Sequence, residues 1–236
     1  MKYMKAAALA LCLIGVMPAA AENWVPNSEG ESVWIDTDSL KTDGDISSLD
    51  MRMDFTNGTV LSRLEFNPKE KLWRTAALVQ RDETGKVMQT LQAAPGEGWG
   101  RILPSSYGSN ILKHYIQTPM PDAKAMAWKE IYKSPDGQTI YAIDMNSLTY
   151  KDGYAEFWMD ARYPRPEKNF SHAIYRVKMN MAYKKVMTLS ATEYTPAGKV
   201  RLHAAGTKKW EDIPAATPIE VVFNYLTDEI RIGRLG

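Results

Sequence analysis

Aspartate, serine and histidine are the side chains whose types and spacing bear most on chemistry here. Asp36 and Asp38 stand two residues apart, with Ser39 directly after them. Carboxylates that close could hold a metal ion or divide general acid and general base roles. The run recurs as Asp144, Asn146 and Ser147, so the second copy lacks the paired carboxylate. Asp and Ser also hydrogen-bond the local backbone and hold turns, and that structural role is the expectation for Asp36 and Asp144. Neither Ser39 nor Ser147 lies in a glycine-flanked nucleophile elbow, and Ser105-Ser106 stands at a helix start. His114, His172 and His203 match no metal motif and show no ligand spacing on a helix or strand. No catalytic residue, metal site or cofactor is expected.

These residues sit in a framework that occurs twice. Val33-Trp34-Ile35-Asp36-Thr37-Asp38-Ser39-Leu40 returns as Tyr141-Ala142-Ile143-Asp144-Met145-Asn146-Ser147-Leu148, a domain-sized repeat of about 108 residues. Trp24 precedes the first copy and Trp128 the second. Alternating strands follow each. Leu49, Met51, Met53 and Phe55 share one face, and Phe157, Met159 and Ala161 answer them. One buried and one wet face marks an antiparallel sheet. Asn57-Gly58 signals a hairpin. Further strands are expected near 60–66, 73–80, 173–181 and 183–191, with last strands running towards Trp99 and Trp210.

Both halves then change period. Tyr107, Ile111, Leu112 and Tyr115 fit one helix face, as do Ile219, Val222, Phe223 and Leu226. Thr217 suits the N-cap, Pro218 the first helical position and Glu220 a capping box. Ser106 occupies the matching cap. Pro119 and Pro121 stop the first helix. The expected fold is α+β: two homologous domains, each an antiparallel sheet with a C-terminal helix packed on it. The expected boundaries are 22–116 and 124–236, with 117–123 as the linker.

The first 21 residues read as a secretory signal. Lys2 and Lys5 precede an apolar run, and Ala19-Ala20-Ala21 fits a cleavage site, so Glu22 is expected to begin the mature chain. The run is too short for a comfortable membrane span, and no later segment reads as transmembrane. Cys12 is the only cysteine and leaves with the leader, so packing alone must stabilise the mature fold. The 29 basic and 28 acidic residues become 27 and 28 without Lys2 and Lys5, which argues against a nucleic-acid binder. Charge is uneven, with 10 basic and 14 acidic residues in 22–119 against 17 and 14 in 120–236.

The doubled Trp, the Ile35-Asp36 and Ile143-Asp144 runs, and the closing Trp99-Gly100-Arg101-Ile102-Leu103-Pro104 and Trp210-Glu211-Asp212-Ile213-Pro214 segments resemble the surface-adhesin protein E family. Nearly the whole mature chain is covered, as two tandem copies. The resemblance implies a periplasmic or cell-surface protein, with adhesion to host matrix proteins as the family's best-known activity. Family members usually carry a cysteine pair joining a middle strand to the C-terminal helix; neither half has one here. The expected function is a non-catalytic protein-binding or adhesin-like module of the envelope, with an unidentified host-matrix or envelope protein as partner. The competing expectations are an envelope receptor or enzyme with an interdomain pocket, and a structural or assembly protein. For a partner surface the sequence offers Trp158, on the wet face of its strand, and Lys184, Lys185, Lys208 and Lys209.

Overall fold

The computed structural model describes residues 24–27, 32–165 and 169–235. The expected leader, with Cys12 and the start at Glu22, lies outside the described residues. Fifteen strands are described: β1 (Trp24–Pro26), β2 (Val33–Asp43), β3 (Ile46–Phe55), β4 (Gly58–Asn67), β5 (Leu72–Asp82), β6 (Val87–Gln92), β7 (Gly100–Arg101), β8 (Trp128–Lys133), β9 (Ile140–Asp144), β10 (Thr149–Lys151), β11 (Tyr154–Arg162), β12 (His172–Asn180), β13 (Lys185–Tyr194), β14 (Val200–Ala205) and β15 (Glu211–Asp212). Two helices follow their respective sheets. The first is α1 (Tyr107–Ile111), continued by a π-helical stretch over Leu112–Ile116, and the second is α2 (Pro218–Arg231).

The strands form two antiparallel sheets. One runs β1-β2-β3-β4-β5-β6, with β7 beside β5. The other runs β8-β9-β11-β12-β13-β14, with β10 beside β11 and β15 beside β13. The registers match as well. Trp24 lies opposite Asp36, and Trp128 opposite Asp144. Ile35 faces Met51 as Ile143 faces Met159. Trp73 faces Gly100 as Val186 faces Glu211.

Alternation decides what each face buries. In the first sheet Val33, Ile35, Leu49, Met51, Leu64 and Phe66 form a core with Ile111, Leu112 and Tyr115. In the second, Ile143, Phe157, Met159, Val177 and Met179 do so with Val222, Phe223 and Leu226. Ile219 packs on that core while half-buried. No described helix is long and apolar enough to cross a membrane.

Three expectations change. Tyr107 is exposed instead of facing the sheet. Gly108 takes the inner position, where an added Cβ would lie 3.3 Å from the Trp73 ring. Further on the helix widens, and Gln117 N–H bonds Leu112 O, one residue beyond α-helical spacing. Phe55, at the hairpin end of β3, is 60% exposed, and Met53 is only half-buried. Tyr183 lies in the turn before β13, not in a strand, and is 73% exposed.

The hairpin forms, but its two loop residues are Thr56 and Asn57, and Gly58 opens β4 opposite Phe55. Gly58 has φ +144°, and a Cβ there would sit 2.0 Å from Arg81 O on β5. Only glycine allows that approach.

Candidate functional site

The aspartate motifs are turn locks, and both copies are built alike. The Asp36 carboxylate accepts from Asp38 N–H at 3.1 Å, and that of Asp144 from Asn146 N–H at 3.2 Å. Ser39 donates to Asp36 O at 2.6 Å, and Ser147 to Asp144 O at 3.1 Å. Each serine oxygen then accepts from the neighbouring strand, from Asp50 N–H at 2.7 Å and Trp158 N–H at 3.0 Å. Asp144 also takes Ala127 N–H at 2.7 Å. Backbone donors therefore hold one carboxylate oxygen of Asp36 and one of Asp144, while Asp38 is exposed. Among the described residues no three His, Cys, Asp or Glu side chains gather as a metal site.

The sequence-predicted surface residues separate. Trp158 is half-buried and packs against Val25, Ile174, Tyr194 and Val200. Val25 from the first half lies in that cluster and Met120 from the 117–123 segment packs on it, so the wet face of β11 is partly covered at Trp158. Lys184 pairs with Glu220, and Lys185 Nζ lies 2.8 Å from Asp212 Oδ1. Lys208 and Lys209 are exposed and form no ion pair among the described residues. The five residues thus form no single patch.

Two histidines instead hold the halves together. His203 is 1% exposed. Its Nε2 donates to Thr118 O across 3.4 Å, and its Nδ1 accepts from the Thr192 hydroxyl at 2.7 Å. Both contacts suit the neutral ring, and burial pushes its pKa down to about 4. His114 Nδ1 accepts Ala205 N–H at 2.9 Å, closing the edge of β14. Burial, with Lys113 adding to it, lowers the pKa of His114. Tyr115 O–H donates to Pro26 O at 3.2 Å, and its ring lies 5.8 Å from that of His203.

Beside this joint lies a cleft of about 370 Å³. Trp24, Pro26 and Trp34 form one wall; Asn169, Thr195, Lys199, Val200 and Arg201 form the other. Cross-strand register creates the first wall, since Pro26 lies opposite Trp34 and Trp34 opposite Arg52. The Arg52 guanidinium carbon stands 5.2 Å from the Trp24 ring and 5.3 Å from that of Trp34, within cation–π range. Glu193 orders the opposite wall by pairing with Arg201, and with Arg165 at 2.8 Å. Lys199 is exposed and forms no ion pair among the described residues.

A second cleft, of about 350 Å³, lies between the 54–59 and 81–85 turns. Its Asp82 carboxylate is committed to holding its own turn, through Thr84 and Lys86. Sequence reading missed Trp34, Arg52 and Lys199. Only the strand register, with Trp34 opposite Arg52, gathers the first two. No protein-family model matches this chain, and no curated protein matches it either.

Proposed function

We propose that the chain is an exported, non-catalytic protein-binding module of the bacterial envelope, similar to the surface-adhesin protein E family. In this reading it comprises two homologous α+β domains, 22–116 and 124–236, joined by 117–123. The shared strand order and the duplicated turn locks support the duplication. The cleft of Trp24, Trp34 and Arg52 against Lys199 and Arg201 carries the functional part. Tryptophan and arginine dominate the energetics of protein interfaces, especially where held rigid. Arg52 is paired with Asp54 and Arg201 with Glu193, so the cation left for a partner is Lys199, which favours a segment bearing a carboxylate beside an apolar side chain. Its host would be a matrix or envelope protein met in the periplasm or at the cell surface.

Titration of the mature chain against a panel of matrix and envelope proteins tests this. Trp34→Ala is expected to weaken a genuine partner about tenfold or more, the loss typical of a truncated anchor. Unchanged affinity would remove the cleft from the binding surface. A second reading is favoured by the cleft volume, which falls in the range of small-molecule sites. A small ligand recovered from purified protein, with no protein partner on the panel, would replace the protein-binding reading with a receptor.

A further inference from the structure

The duplication permits a comparison of the halves, position by position. In the first half Glu65 faces Arg74 across β4 and β5, and β7 follows Trp99. In the second, Lys178 faces Met187 across β12 and β13, and β15 follows Trp210. The matched registers of β7 on β5 and of β15 on β13 make Trp210 the counterpart of Trp99. Counting back from these, Lys208 and Lys209 stand where the first half has Glu97 and Gly98.

The two sites differ in chemistry. Around Trp99 the first half is closed. The Arg74 guanidinium carbon lies 5.1 Å from the ring, its Nε binds Glu65 at 2.8 Å, and its NH1 holds Ala94 O and Glu97 O at 2.9 Å. The second half has Met187 in place of that arginine and nothing equivalent to those bonds. Trp210 lies 5.8 Å from Tyr154, centroid to centroid, and remains 37% exposed. Lys178 Nζ stands 4.7 Å from the Tyr154 ring. Acids at two positions have thus become lysines, and a glycine has become a third.

Nearby carboxylates do not cancel these charges. Asp212 is taken by Lys185, and Glu156 by Arg176. Glu211 follows Trp210 along an extended strand, so its side chain points to the opposite face.

We infer that Tyr154, Trp210, Lys178, Lys208 and Lys209 form a binding platform for an acidic polysaccharide, separate from the cleft. Tyr154 and Trp210 lie side by side, tilted 32° to one another, and an aromatic ring offers a flat face to the C–H side of a sugar ring. Ammonium groups are compact point charges that accept sulfate or carboxylate oxygens in many orientations. Over Lys185 and Val186, β13 is paired on both sides, by β12 and β15, so the platform meets a ligand through the side chains of the sheet face and not through a free edge of β13. That favours a sugar chain over an acidic peptide.

The test is binding of the mature chain to dextran sulfate, with neutral dextran and polyglutamate as controls. Dextran sulfate is expected to bind, with affinity falling as salt rises, and neutral dextran is not. Replacing all three lysines by glutamine (K178Q, K208Q and K209Q together) should weaken binding tenfold or more, whereas Trp34→Ala in the cleft should leave it unchanged. Trp210→Ala should also weaken binding; Trp210→Phe, which keeps an aromatic face, should restore most of it if the alanine variant fails to fold. Equal retention of the triple variant, equal binding of neutral dextran, or capture of polyglutamate alone would overturn the inference. Loss of protein partners with Trp34→Ala, while dextran sulfate still binds, would separate the platform from the cleft.

Discussion

Phe223→Ala is expected to lower the unfolding free energy by about 3–5 kcal/mol, the usual range for truncating a buried phenylalanine. The side chain is 8% exposed and shares its core with Phe157, Met159, Val177 and Met179. Its helix is fixed firmly at the start. Thr217 accepts Glu220 N–H at 3.4 Å, Glu220 accepts Ala216 N–H at 2.6 Å, and Lys184 binds the other Glu220 oxygen. A helix so anchored cannot slide to fill the hole, so the cavity persists. Cys12 is the only cysteine, so no disulfide within the chain can limit the damage. A domain is normally stable by only about 5–15 kcal/mol, so the loss is a large share. Urea unfolding measures it as a lower midpoint at constant slope. A loss below about 1 kcal/mol would mean that Phe223 does not seal this core.

Stability should also fall with acidity between pH 7.5 and 5, by about 2 kcal/mol through His203 alone. The folded ring titrates at about 4, below the ordinary value of 6.5. Above 6.5 both folded and unfolded rings are neutral, and the stability is complete. As the pH falls through 6.5 the unfolded chain takes up a proton that the folded ring refuses, so unfolding gains. The loss continues down to the folded pKa, reaching about 3 kcal/mol near pH 4. The groups facing His203 are Tyr115, His114, the Thr118 carbonyl and Thr192 of β13; none is a carboxylate that would hold the proton. His114 and His172 are also lowered by burial and act in the same direction. Urea midpoints at pH 7.5 and 5 check this, with His203→Gln flattening the dependence. A variant that loses as much as the parent on acidification would clear His203.

The sequence makes the repeat and the strand alternation legible because both are local. Ile35, Asp36 and Ser39 recur as Ile143, Asp144 and Ser147 at one spacing, each run preceded by a tryptophan. Thr217 and Pro218 mark a helix start for the same reason. What escaped depends on contacts between distant segments. Trp158 alternates onto a wet face, yet it packs on a cluster that includes Val25 from the other half. Lys184 looks like a free cation, but the turn before β13 brings it to Glu220. His203 shows no motif because its partners, Thr118 and Thr192, lie far from it in sequence. The cleft needed the register that sets Trp34 against Arg52, a relation that pattern alone does not fix.

Strand β1 also bears on the order of folding. Its three residues pair with β2, and Val25 is wholly buried against Tyr194 and Val200. The hairpins of each sheet close over short loops, whereas this contact closes a loop of about 170 residues. A chain emerging from the amino end completes its first strand early but must wait for β13 and β14 before Val25 has its partners. The two sheets should therefore fold first, and docking along β1 should follow as a distinct slower phase. Stopped-flow refolding would resolve it as a second exponential, with amplitude lost on Val25→Ala. A single phase, unaltered by that change, would mean that the joint forms together with the sheets.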